Sequence, residues 1–148
     1  MSVKDVLFQL AAAFVGALGF ALIFGMRRRY LFAASLGALL GWGVYLLAEH
    51  FLQSSFLPPL FAAAFALSYS EIMAKILKTP ATLFVIPAII PLVPGGSLFY
   101  TMSYAVHRDL VNARIYGMRT GETALAIAAG ISIVLAAREL HTRRRPQI

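Results

Sequence analysis

The residues whose types and spacing suggest chemistry lie in one stretch, "TPATLFVIPAIIPLVPGGSLFY", residues 79–100. It is apolar enough for a membrane, yet it carries Pro80, Pro87, Pro91 and Pro94, followed by Gly95, Gly96 and Ser97. Proline has no backbone donor and clashes with the preceding turn, so it breaks or kinks helices. Pro87, Pro91 and Pro94 share one helix face and deprive the carbonyls of Leu83, Pro87 and Ile90 of their helical donors. Gly95 and Gly96 can end one helical segment, and Ser97 suits the N-cap of a second, "LFYTMSYAV". A helix interrupted inside a bilayer exposes amides and a positive dipole end, suited to a carboxylate. It also exposes carbonyls upstream, suited to an ammonium group or a cation. Beyond the break, Tyr100, Ser103 and Tyr104, with Ser97 and His107, recur at helical spacing and make a polar stripe. A second reading stays open: a proline-kinked packing helix with no ligand, its stripe used for interhelical hydrogen bonds and an interfacial belt. Tyr45, Ser68, Tyr69 and Ser70 are weaker pore-lining candidates.

Other chemistry has no candidates. The three histidines, His50, His107 and His141, lie near ends of apolar runs without ligand spacing, and cysteine is absent. No Ser/His/Asp set or phosphate loop is present, so the expectation is a protein that is not an enzyme and needs no cofactor or metal. Glu49 and Glu71 sit at the ends of apolar runs, which argues against proton coupling through a buried carboxylate of this chain.

The elements that must position the stretch follow from composition. Of 148 residues, 60% are hydrophobic types and 13% charged, about half the usual charged share. Such a chain uses the lipid bilayer as solvent, and the expected fold is an all-α integral membrane protein forming one transmembrane domain over 1–148. The net charge of +7 comes from basic residues clustered between apolar runs, a topology signal rather than a nucleic-acid footprint, so no nucleic acid is expected. About five spans are read: 6–25, 30–48, 56–70 with Pro58-Pro59 in its first turn, 80–107 broken at the Pro/Gly motif, and 123–137. The first is read as retained rather than as a cleaved signal. A polar connector, 108–122, precedes the last span, and a basic tail, 138–148, follows it. With the N-terminus outside, nine Lys/Arg residues fall inside and four outside, so the expected orientation is N-out, C-in.

Small residues recur every four positions: Ala13, Ala17, Ala21 and Gly25; Ala33, Gly37 and Gly41; Ala62, Ala66 and Ser70; Ala124, Ala128, Ser132 and Ala136. Such stripes let helices approach closely in lipid. They are read as packing within the chain, with some facing other subunits in a homo- or hetero-oligomer.

The run "PAIIPLVPGGSLFYTM", residues 87–102, resembles the threonine/serine exporter family. The likeness is to its C-terminal membrane module, which some bacteria encode as a separate small subunit. Pro87, Ile89, Ile90, Pro91, Leu92, Val93, Pro94, Gly95 and Gly96 match its Pro-x-Ile-Ile-Pro-Leu-Val-Pro-Gly-Gly signature. The resemblance implies efflux of a small carboxylate-bearing substrate, threonine or serine or a dicarboxylate such as succinate. It also implies a larger partner subunit and a place in the bacterial cytoplasmic (inner) membrane. The expected substrate-binding or pathway residues are Pro87, Pro91, Pro94, Gly95, Gly96, Ser97, Tyr100, Ser103 and Tyr104. A non-transporting membrane scaffold and a homo-oligomeric channel remain the alternatives.

Overall fold

The computed structural model describes the backbone of residues 3–143 and the side chains of residues 3–140. Among these residues there are six α-helices and no strand. Helix α1, Val3–Ile23, ends where Gly25 takes φ +67, a left-handed turn open to glycine at little cost. The turn lets Met26 N–H close back onto Ala21 O at 3.0 Å. Helix α2 is Arg28–Leu52. Helix α3, Leu57–Leu77, starts with Pro58 and Pro59, both buried, where the missing amides have no helical partner to lose. Helix α4, Thr82–Ile89, runs into a 3-10 turn, Ile90–Leu92. Helix α5 is Gly95–Val106 and α6 is Leu110–Arg143.

Small residues decide how closely the helices pack. Ala13, Ala17 and Ala21 of α1, Gly37 and Gly41 of α2, and Ala62, Ala66 and Ser70 of α3 are buried, as their spacing implies. Helix α6 differs. Its expected stripe, Ala124, Ala128, Ser132 and Ala136, is exposed, and the buried small residues are Ala126 and Gly130. At Gly130 an added Cβ would strike Leu60 O and come within 3.2 Å of Ala64 N. Only glycine lets α6 lie this close to the backbone of α3. Four-residue spacing occurs on several faces of one helix, and the contact with α3 selects this one.

The pairings set the directions. Trp42 bonds Gln9 and Phe32 lies edge-on to Phe14, so α1 and α2 are antiparallel. Tyr69 Oη donates to Ala33 O at 2.8 Å, and Gly41 lies against Ala66, so α2 and α3 are antiparallel as well. Helix α6 meets α3 at Gly130–Leu60 and again at Arg138–Glu71, so these two run parallel. The chain between them therefore travels the length of the bundle once, through α4 and α5, with a bend of 50°.

Three boundaries depart most from expectation. The third helix continues through Glu71 and Lys75 to Leu77. Residues 110–122 are not a connector but the first half of α6. The Asp109 carboxylate accepts from the Asn112 backbone N–H at 3.2 Å and from its side-chain amide at 2.7 Å. Asp109 O accepts from Ala113 N–H, the first helical bond, so Asp109 is the N-cap of α6. The basic tail is not separate either: 138–143 continue α6, and the remainder, 144–148, lies outside the described residues. At 34 residues α6 is about 51 Å long, against about 32 Å for α3. Its first half reaches beyond the start of α3 and packs beside α5.

Candidate functional site

The break is built by successive prolines. Pro87 sits inside α4 and is buried. Pro91 forces the tighter 3-10 turn, in which Val93 N–H donates to Ile90 O at 3.2 Å. The Ile90 carbonyl expected to be free is therefore satisfied. Val93 is extended (φ −61, ψ 127) and Pro94 follows with φ −75, ψ 53. Pro94 is the N-cap of α5: its carbonyl accepts from Leu98 N–H at 3.0 Å, and no side chain caps the helix. The break thus falls at Val93-Pro94. Gly95 and Gly96 are the first two helical residues, and Ser97 stands inside the first turn rather than at the cap. The preset φ of proline suits this boundary, but its side chain has no acceptor for the first-turn amides. Gly95 N–H turns back to Val93 O at 2.7 Å. A Cβ on Gly95 or Gly96 would meet nothing within 4 Å, so both glycines face open space.

The structure divides the predicted residues into two groups. Leu92, just before the break, packs on Ala62 and Ala63 with Trp42, Tyr45, Ile127 and Ile131 around it. Pro91 with Ile90 lines a cavity of about 300 Å³ against α1 and α2, together with Gln9, Gly16, Ala17 and Trp42. Pro87 faces a smaller apolar cavity, about 110 Å³, against Phe20 and Phe24. The second group lies along α5. Tyr100 and Tyr104 are joined by Tyr116 of α6, with ring centroids 5.3 and 5.5 Å away, and Thr101 lies against Gly117. The Ser103 carbonyl accepts from His107 N–H at 3.1 Å. Helix α5 buries no residue, and Leu98, Phe99, Met102 and Val106 are exposed along it.

The weaker candidates are tied up in the scaffold. Ser68 and Ser70 donate to the carbonyls of Ala64 and Ala66, one turn back on their own helix. Tyr69 holds α3 to α2 through Ala33 O, and Tyr45 stacks on Trp42 at 4.8 Å.

Sequence reasoning missed Gln9, Trp42 and Tyr116. Trp42 Nε1 donates to Gln9 Oε1 at 3.2 Å, which fixes a side-chain amide in the wall of the cavity that Pro91 also lines. A glutamine inside the first apolar run was the available signal, since polar groups in spans need partners.

Among the described residues, four helices long and apolar enough to cross a membrane, with a fifth unit bent in its middle, define an all-helical integral membrane protein. The family model described as Threonine/Serine exporter, ThrE matches residues 9–137, and the chain belongs to that family. The resemblance carried by residues 87–102 is thereby supported over most of the chain. No curated protein and no solved structure matches it.

Proposed function

We propose that this chain is the small membrane subunit of a two-component exporter of threonine and serine, with the interrupted span as its substrate pathway. The observation that carries the proposal is the α4–α5 unit. It travels the bundle once, bends by 50°, and opens its second helix on two glycines without a side-chain cap. Gly95 N–H is held by Val93 O, but the amides of Gly96 and Ser97 have no side-chain cap, and with unobstructed glycines they suit close approach by a substrate carboxylate. The unit crosses the bacterial cytoplasmic membrane as one broken span, giving five crossings with the N-terminus outside and the C-terminus inside. The distribution of Lys and Arg supports that orientation. The larger partner subunit covers the apolar surface of α5, which among the described residues is contacted extensively by α6 alone.

The test is efflux of labelled threonine from cells lacking the chain, then with the chain, the larger subunit, or both restored. Saturable efflux that needs both subunits is expected. Efflux without saturation means a channel. Assembly of the larger subunit with no flux from either means a scaffold, and export of succinate but not threonine moves the substrate to dicarboxylates.

A further inference from the structure

At the end of the bundle away from the break, α3, α6 and the turn leading into α4 form an open pocket of about 220 Å³ lined by Glu71, Ala74, Lys75, Thr79, Ala81 and Arg138. It differs from the apolar cavities nearer the break. Glu71 Oε1 accepts from Arg138 Nη1 at 2.9 Å, across 67 residues of sequence, and the Glu71 side chain is only 15% exposed. Lys75, one turn on, adds a second cation. Thr79 is placed by the end of α3, where Lys78 takes φ 50 and Thr79 N–H bonds Ala74 O at 3.0 Å. Its hydroxyl is buried and has no hydrogen-bond partner. Such groups are rare and mark strain, a water or a ligand.

We infer that this cavity binds a small zwitterionic amino acid bearing a hydroxyl, and that it is the loading site at the opposite mouth of the pathway. The two cations, Lys75 and Arg138, suit an α-carboxylate, and the Glu71 carboxylate retains acceptor capacity for an ammonium group. Thr79 Oγ1 supplies the partner for the ligand's hydroxyl. Ala74 and Ala81 leave room for a short side chain. A dicarboxylate finds the same cations but sets its second charge against Glu71. The cavity rests on these side chains alone; its role as a loading site rests on the export reading above.

The test is equilibrium binding of labelled L-threonine to the full chain in detergent micelles, with L-2-aminobutyrate, which lacks the hydroxyl, and succinate as comparators. Threonine is expected to bind more tightly than 2-aminobutyrate. Thr79→Val should weaken threonine roughly fivefold to tenfold and leave 2-aminobutyrate unchanged, while Thr79→Ser preserves the preference. Glu71→Gln should weaken both amino acids and improve succinate. Absence of threonine binding overturns the inference. So does a Thr79→Val protein that still prefers threonine, or one that loses both amino acids equally. The export reading fails separately: hydroxyl-selective binding in a chain that supports no efflux keeps the site and removes the transport role. Normal efflux with no Thr79-dependent preference does the reverse.

Discussion

Single residues in this protein act mainly through the space they leave. Gly130 is the clearest case, because a methyl group there runs into the backbone of Leu60 and Ala64, which cannot rotate aside. Gly130→Ala should therefore separate α3 from α6. Overpacking of this kind costs about 1–3 kcal/mol, and a lowered midpoint of thermal unfolding in detergent would register it. Gly95 and Gly96 are the opposite case. Each is helical and faces open space, so alanine at either should be tolerated and even favour the helix, since glycine costs about 1 kcal/mol relative to alanine in a helix interior. Loss of transport in a bulkier variant there would report on what approaches the glycines rather than on folding. The break beside the glycine pair was legible in the sequence. The partners of Gln9 and Glu71 were not, because they lie 33 and 67 residues away.

At the scale of elements, hydropathy and proline position made the first three helices and the broken unit readable. They did not reveal the first half of α6. The run "RDLVNARIYGMRTGE" has the polarity of a loop, yet Asp109 caps it and α5 supplies the surface on which Tyr116 and Gly117 pack. The Asn112 side-chain amide, and then its backbone N–H, hold the Asp109 carboxyl below its ordinary range. A depressed folded-state value means that the cap stabilises above the unfolded pKa and is lost as pH falls through the folded one. Asp109→Ala should thus speed hydrogen exchange of the amides at 110–113 at neutral pH. Acidifying the wild type below the ordinary carboxylate range should lower the protection factors of the same amides, once the slower intrinsic exchange in acid is divided out. Exchange that is equal in both proteins at neutral pH would remove Asp109 as a cap. Ser97, by contrast, looked like a cap and is not one, because Pro94 already ends the extended turn with its own fixed φ.

At the scale of the whole molecule, three small-residue stripes are used inside the chain and one faces outward. Ala124, Ala128, Ser132 and Ala136 are exposed along α6, on the side away from the Ala126–Gly130 contact with α3. A subunit interface on that face predicts that Ala128→Leu lowers the assembly size measured by light scattering in mild detergent, with little effect on unfolding. An unchanged size would place the interface elsewhere. Orientation is tested by a reporter fused after residue 148, which should be active only on the cytoplasmic side. The central claim is that the glycine-opened break carries substrate, and efflux normalised to membrane protein level tests it most directly. Gly96→Val should reach the membrane at wild-type level and export threonine at a small fraction of the wild-type rate, while Gly96→Ala retains most of it. Wild-type efflux from Gly96→Val would contradict the account.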